Sequence, residues 1–286
     1  MEILQLLVYG IVIGSVISLG AIGVSLTFGI LGFANFAHGD LMTVGAYIAF
    51  TVFALASLPL AVALPAAIIG TAIVAVLVDR TVFRRFRTSR PIILLIASFG
   101  VALVLRSLVQ LVWGPDTYLF QKGIQLPWQV MGLRVKPDHL TIFACAVALV
   151  IALHLLLQRT RIGKAMRAVA DNPDLAKVSG IDTERVILWT WVIGASLAAA
   201  AGTFLAMDTR IQPDMGWHIL LPLFAAAIVG GIGKPYGAIV GGLVIGIAQE
   251  MSTLVLPPAY KPAVAFAFIV VMLIWRPTGL FAGRST

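Results

Sequence analysis

Before Trp217 the chain carries six long apolar stretches: Ile3 to Leu31, Phe36 to Ala56, Leu60 to Val78, Pro91 to Trp113, His139 to Leu157 and Val186 to Met207. Each matches the roughly 20 residues a helix needs to cross bilayer hydrocarbon. After Trp217 the pattern changes. Ile219 to Ile232, Gly237 to Ile247 and Ala263 to Trp275 are shorter apolar pieces interrupted by Gly and Pro. They read as broken or re-entrant helices, which a membrane tolerates only where the freed backbone groups are buried in protein or line a wet cavity. The pattern predicts an all-α, polytopic transmembrane helical bundle with about eight to nine spans.

Composition narrows the class. The chain has 286 residues, 60% hydrophobic and 11% charged, with a mean hydropathy of +1.03, which no water-soluble globule of this size carries. A large soluble domain is excluded, so residues 1–286 read as a single transmembrane domain. The single cysteine, Cys145, lies in an apolar run, so no intramolecular disulfide can form and cysteine redox or metal chemistry has no support. The start, Met1-Glu2-Ile3, lacks a basic segment, which argues for a retained first span rather than a cleaved signal.

Charge gives the topology. Asp79 to Arg90 holds five Arg and Arg159 to Arg185 holds six basic residues, against three in Gly114 to Asp138. Cytoplasmic loops collect Lys and Arg, so the first two loops face the cytoplasm. The Gly114 to Asp138 and Asp208 to Trp217 loops then face outward, Arg276 to Thr286 faces inward and Met1 is outside. On nine spans, the basic residues divide 14 inside, five outside and one, Arg106, within a span. The +8 net charge is therefore topological. No basic stripe is surrounded by stacking aromatics, so no nucleic-acid partner is expected.

Gly pairs at four-residue spacing, among them Gly10 and Gly14, Gly233 and Gly237, and Gly242 and Gly246, let helices approach closely. They serve either packing within the chain or a dimer interface.

Three polar stretches could carry function. The first is the run Gly29 to Asp40, which sets Asn35, Phe36, His38 and Asp40 at a Gly-punctuated break between spans. A carboxylate at the bilayer centre costs about 2.5–3.5 kcal/mol on insertion scales, which places the break near an interface or in a wet cavity. Alternatively Asn35 simply caps the following helix. No spacing here resembles a metal site.

The second stretch is Thr160 to Pro173, where Ile162, Ala165, Met166 and Val169 share one helical face. Asn172 and Pro173 open a second short helix that Gly180 closes, and Asp182 or Thr183 caps the next span. The pair either lies on anionic lipid or docks into a groove of a cytoplasmic partner. The third stretch is Gly230 to Gly237, a hinge-like turn. It is no phosphate loop, because Lys234 is followed by Pro235 rather than the Ser or Thr that holds a metal. Arg106 lies seven residues before Trp113, about 10 Å of helix from the outer end, within snorkelling reach. His154, Glu250 and Lys261 lie near span ends. No catalytic Ser or Cys setting appears, so the chain does not read as an enzyme.

These residues resemble the LivH-type permease of bacterial branched-chain amino acid ABC importers over nearly the whole chain. Four motifs in order carry the resemblance. They are Gly29 to Tyr47, with Asn35-Phe36-Ala37-His38-Gly39-Asp40; Gly163 to Pro173, continuing through Gly180-Ile181-Asp182; Gly230-Gly231-Ile232-Gly233 with Tyr236 to Gly242; and Arg276-Pro277-Thr278-Gly279-Leu280-Phe281.

The resemblance implies an ABC importer permease in the bacterial inner (plasma) membrane. It would form the translocation path for branched-chain amino acids or related small polar solutes with a LivM-like second permease. Two cytoplasmic ATPase subunits and a periplasmic substrate-binding protein complete the assembly, and this subunit holds no cofactor or metal. By the same analogy Asn35, Phe36, His38 and Asp40 flank the pathway. Arg161, Gly163, Met166, Arg167, Asp171, Asn172 and Gly180 belong to an ATPase-coupling loop, 159–185, and Gly230, Gly231, Gly233 and Gly237 form a hinge. Lys234-Pro235 departs from the expected small residues and then Pro. Relatives with similar motifs handle urea, short amides or aromatic acids, and selection lies largely with the binding protein. The outward Gly114 to Asp138 loop reads as its contact surface. The competing class is a stand-alone carrier or channel, which would need intramembrane carboxylates or His relays, whereas Asp40, Asp79 and Glu250 sit at span ends.

Overall fold

The computed structural model describes residues 2–120, 127–130 and 133–281. The outward placement of Met1 and the positions of Lys122 and Arg284 fall outside the described residues. The first helix, α1, runs Glu2–Leu31, and a short irregular stretch leads to α2, Ala37–Phe50, extended by a wide turn over Thr51–Leu55. Next come α3 (Leu60–Val78), a second wide turn (Asp79–Phe83), the single turn α4 (Arg84–Phe86) and α5 (Pro91–Trp113). A hairpin of β1 (Trp128–Val130) and β2 (Leu133–Val135) precedes α6 (Pro137–Arg159), and two short helices follow, α7 (Arg161–Asp171) and α8 (Pro173–Val178). The chain ends with α9 (Thr183–Asp208), α10 (Met215–Gly230), α11 (Pro235–Ser252) and α12 (Lys261–Trp275).

Six helices are long and apolar enough to cross a membrane, with Pro258–Trp275 the last of them. The pieces after Trp217 are whole helices rather than broken ones. The stretch expected over Gly237 to Ile247 is part of the continuous 18-residue α11, and that over Ile219 to Ile232 is the 16-residue α10, which keeps its course despite Pro222. The polar residues Tyr236 and Gln249-Glu250 at the ends of α11 extend it beyond its apolar stretch. The breaks lie between helices, at Gly231 and Gly233, whose φ values of +103° and +78° belong to the left-handed region that glycine alone enters freely.

The helices form two layers. About 72% of the most apolar stretch of α1 and of α9 is buried, against 28%, 33%, 22% and 17% in α3, α5, α6 and the last span. The short helices α2, α10 and α11 pack with α1 and α9 to make the interior, and the four exposed helices present their apolar outer faces to the surroundings. In a membrane those faces meet lipid tails, which are as apolar as leucine, so association depends on close packing rather than on the hydrophobic effect.

Small residues supply that packing within the chain, which decides between the two uses of the Gly pairs. Gly10 and Gly14 of α1 lie against Ile247 and Leu243 of the antiparallel α11, and Ser18 donates to the Ile239 carbonyl at 2.8 Å. The tightest crossing joins the first turns of α2 and α10, where Gly39 and Gly216 meet backbone to backbone and the Gly216 N–H donates to Thr43 Oγ1 at 3.0 Å. A Cβ on either glycine would occupy the other's carbonyl.

This crossing gives the first test. Gly39→Val should destabilise the protein by about 1–3 kcal/mol through overpacking. Gly100→Ala, on a helix position with open space around it, should be neutral or gain up to about 1 kcal/mol of helix propensity. Thermal unfolding in detergent, followed by tryptophan fluorescence, ranks the two variants.

Candidate functional site

The break between α1 and α2 is a buried polar knot. Asn35, His38 and Asp40 are each 1% exposed. Asn35 does act as a cap, one residue earlier than usual: its Oδ1 accepts from the Ala37 N–H at 3.1 Å, while Phe36 at the cap position offers no side-chain bond. The Phe36 N–H donates instead to Ser98 Oγ of α5 at 3.1 Å. Among the described residues, His38 Nε2 and Asn35 Nδ2 are buried without a partner. Unpaired buried polar atoms cost about 1–3 kcal/mol each, which marks the knot as more than packing.

Arg106 does not reach for the surface but turns to Asp40 inside the bundle. The Arg106 Nε donates to Asp40 Oδ1 at 3.0 Å and its Nη2 to Oδ2 at 3.2 Å, a two-pronged pair in which Arg106 keeps 19% side-chain exposure and Asp40 1%. Arg106 stands within α5, so the pair sits well inside the span. The physical reason is direct: a carboxylate in the interior offers the guanidinium more than the distant outer surface does, and pairing removes the cost of both isolated charges. The guanidinium carbon also lies 5.3 Å from the Trp217 ring centroid, a favourable cation–π distance. Phe99 sits edge-on to Trp217 and to Phe36, and Phe36 meets Phe224 at 5.4 Å. Nothing in the spacing linked Asp40 to Arg106, 66 residues apart; an intramembrane arginine was the only signal.

The four sequence motifs converge near the same, C-terminal end of α1. Gly29 packs on Gly233, Gly230 meets Gly237 across the turn, and Gly279 lies on Gly231. The closing motif is fastened there by Leu280 N–H to the Val229 carbonyl at 2.9 Å and Phe281 N–H to the Gly230 carbonyl at 3.3 Å. Gly29, Met166, Arg167, Gly233 and Tyr236 line one small cavity of about 90 Å³. The Tyr236 hydroxyl holds His154 Nδ1 at 3.0 Å and accepts from Gln158 Nε2 at 3.2 Å, which ties the Gly230 to Gly237 turn to α6. Lys234 occupies the cap position of α11 without a side-chain bond, and Pro235 opens that helix, a position where its missing N–H costs nothing.

The loop 159–185 folds as its caps require. Thr160 Oγ1 accepts from the Gly163 N–H, Asn172 Oδ1 from Leu175 and Asp182 Oδ1 from Arg185; Gly180 closes α8 with φ +84°. The apolar face of α7 turns inward, with Met166 and Val169 buried and Gly163 set against the Leu156 and Leu157 carbonyls. That face is therefore committed to the protein rather than to lipid. Arg167 braces α7 on the end of α6 by donating to the Leu157 carbonyl at 3.0 Å and to Gln158 Oε1 at 2.7 Å. Arg161, Asp171, Asn172 and Gly180 are exposed. So are Leu175 and Val178 of α8, at 63% and 86%, two apolar side chains on a helix too short for periodicity to single them out. Beside the loop, Arg87 bridges Asp79 and Glu184 and so joins the end of α3 to the start of α9.

The opposite end opens into a cavity of about 650 Å³ lined by Lys136, His139, Asp208, Arg210, Glu250 and Lys261, among others. Glu250 pairs with Lys261, and His139, buried against Tyr9, holds Asp208 at 3.1 Å. Trp128 of the hairpin stands exposed near this end, and Gln5 bonds both the N–H and the carbonyl of Arg134, fixing β2 to α1.

The chain resembles known proteins along its full length. The family model described as branched-chain amino acid transport system / permease component matches residues 6–273. The high-affinity branched-chain amino acid transport system permease protein BraD of Pseudomonas aeruginosa is 33% identical, over 97% of this chain and 95% of its own. The permease protein LivH of Escherichia coli is likewise 33% identical, over 97% of this chain and 94% of its own. In fold, the chain is similar to one in the structure of PsaBC from Streptococcus pneumoniae in complex with Fab, with a TM-score of 0.54 at 12% identity, covering 97% of this chain and 93% of that one. With six spanning-length helices, the converging glycine motifs and a family match that leaves out only the chain ends, the protein is a multi-pass membrane protein and belongs to the permease component family of branched-chain amino acid transport systems.

Proposed function

We propose that the chain is the permease subunit of an ATP-driven importer in the bacterial inner membrane. With a second, LivM-like permease it forms the path for branched-chain amino acids or related small polar solutes. The two curated relatives, each covered over more than nine-tenths of its length, carry this substrate class in their names. Two ATPase subunits dock on the basic end, which the excess of Lys and Arg assigns to the cytoplasm, and a substrate-binding protein delivers solute to the opposite end. ATP hydrolysis belongs to the partners, since the Gly230 to Gly237 turn lacks the hydroxyl that a phosphate loop requires.

The observation that carries this reading is the geometry of α7 and α8. A freely exposed apolar tip, Leu175 and Val178, stands on a helix pair anchored rigidly to the membrane bundle by Met166, Val169 and Arg167. Such a pair suits a groove on a cytoplasmic partner, because its apolar contacts supply affinity and its rigid seat passes displacement inward. Arg161, Lys164 and Asp171 stand exposed on α7 of the same pair. Gly163, Met166 and Arg167 act in coupling by holding the seat, and Asn172 and Gly180 by shaping the tip. The Gly230, Gly231, Gly233 and Gly237 turn is the place where that displacement meets α1 and α11. A stand-alone carrier has less support, because Asp40 is already neutralised by Arg106 and Glu250 by Lys261.

Two variants test the docking surface. Val178→Asp places a charge where an apolar contact is needed and should cost about 2 kcal/mol or more of docking energy. The ATPase subunits should then be lost from the complex purified in mild detergent, while the monodispersity of the permease is unchanged. Arg167→Glu should act differently: α7 loosens on α6, the ATPases remain bound, and solute uptake falls relative to ATP hydrolysis. Intact, fully coupled complexes from both variants would overturn the assignment, as would purification of the wild-type chain without ATPase partners.

A further inference from the structure

The stripe Ile96, Phe99, Leu103 and Arg106 runs along one face of α5, and its apolar members are 63%, 42% and 47% exposed. Trp217 of α10, 38% exposed, continues the surface beside them. A stripe of this kind would ordinarily face lipid. Arg106 prevents that reading. Its Nε and Nη2 are committed to Asp40 behind it, while the remaining edge of the guanidinium, well inside the span, has no partner among the described residues. Ionisable groups inside membrane segments face the bundle interior or a water-filled cavity, because hydrocarbon cannot satisfy their donors. The open edge of Arg106 therefore requires water or a polar partner across this face.

We propose that the open edge of the Asp40–Arg106 pair, walled by Phe36, Phe99 and Trp217, is a transient binding step for the carboxylate of a small amino acid with an apolar side chain. This rests on the transport reading above. The chemistry matches at both ends of such a solute. A guanidinium edge accepts a carboxylate with charge-assisted hydrogen bonds, and the aromatic wall accepts the apolar body without demanding a particular shape. Asp40 sets the strength of the step. A lone arginine in a low-dielectric path would hold an anion too long, whereas one shared with Asp40 holds it more weakly. Passage needs binding strong enough to enter and weak enough to leave. His38 Nε2 and Asn35 Nδ2, buried and without a partner among the described residues, keep that region polar if the pair shifts as the solute passes.

The test uses the complete transporter in cells and in proteoliposomes. With Cys145→Ser removing the single native thiol, a lone cysteine is placed by Leu103→Cys on the proposed path or by Ile69→Cys on the exposed face of α3. A membrane-impermeant methanethiosulfonate should label the Leu103 position at least about tenfold faster than the Ile69 position, the expectation for a wet face against hydrocarbon. Leucine at saturating concentration should slow that labelling and leucinamide, which lacks the carboxylate, should not. Equal inertness of both positions would overturn the proposal, as would equal protection by the amide. In a second arm, Arg106→Gln with Asp40→Asn keeps a buried hydrogen-bonded pair without charge, so that folding is preserved. Leucine uptake should fall about tenfold or more, the loss of one charge-assisted hydrogen bond, while ATP hydrolysis stimulated by the loaded binding protein persists. Unchanged uptake in this variant sinks the binding step alone; absence of leucine uptake in the wild-type complex sinks the transport reading itself.

Discussion

A carboxylate held inside a membrane-spanning bundle must be neutralised, and the arrangement of α2, α5 and α10 follows from how Asp40 meets that requirement. Breaking such a pair by removing one partner costs about 3–5 kcal/mol, because the survivor is a buried, uncompensated charge. The pair therefore fixes the depth at which α2 begins and the rotation of α5 about its axis. It also sets Trp217 at the start of α10, whose ring lies beside the guanidinium. Once these three helices are registered, Phe36 can reach Ser98 and Phe224, and the first turns of α2 and α10 can cross at Gly39 and Gly216. Polar pairing gives the register, and small residues then allow the close approach that register demands.

The same division of labour holds at the basic end. In lipid no hydrophobic gain separates a correct helix contact from a wrong one, so specificity comes from places where only hydrogen fits and where backbone groups find partners. Gly29 on Gly233, Gly230 on Gly237 and Gly279 on Gly231 are three such places within one turn of chain. The bonds from Leu280 and Phe281 to the Val229 and Gly230 carbonyls satisfy the orphan end of α10, the groups that any helix terminus leaves unpaired. Four motifs spread over some 250 residues of sequence thus assemble a single junction where α1, α6, α7, α10 and α11 meet.

Much of this was legible from the residues alone. The span pattern, the caps at Asn172 and Asp182, the glycine stop at Gly180 and the existence of an apolar face on α7 follow from local rules that act within one or two helical turns; what that face packs against, the end of this chain's own bundle rather than lipid or a partner's groove, does not. The apolar pattern marks only part of α11, because the polar residues Tyr236, Gln249 and Glu250 lie inside that helix and bond across to other elements. The partner of Asp40 was out of reach for a different reason: pairing between residues on separate helices depends on helix rotation, which hydropathy does not encode. Arg106 was visible as an anomaly, and the surface alone offered an outlet for it. Likewise the exposed tip of α8 consists of two side chains on a six-residue helix, too few for any periodicity to emerge.

Rigidity and yielding are distributed in a way that fits the proposed work. Displacement applied at Leu175 and Val178 cannot dissipate in the loop, since every helix end there is capped and Arg167 clamps α7 to the carbonyls closing α6. The next element along is the Tyr236 hydroxyl, bonded to His154 and Gln158 of that same α6. Beyond it lie Gly231 and Gly233, residues whose backbone has the widest conformational range in the chain. A push at the tip would therefore pass through stiff segments and be absorbed at the glycine turn, which joins α10 to α11 and touches α1. Because α10 carries Trp217 at its far end, a change in its tilt moves the aromatic wall relative to Arg106. On the proposed reading, this is the mechanical link between partner closure at one end of the bundle and the affinity of the charged step inside it: the guanidinium stays on Asp40 while the wall that completes its surroundings comes and goes.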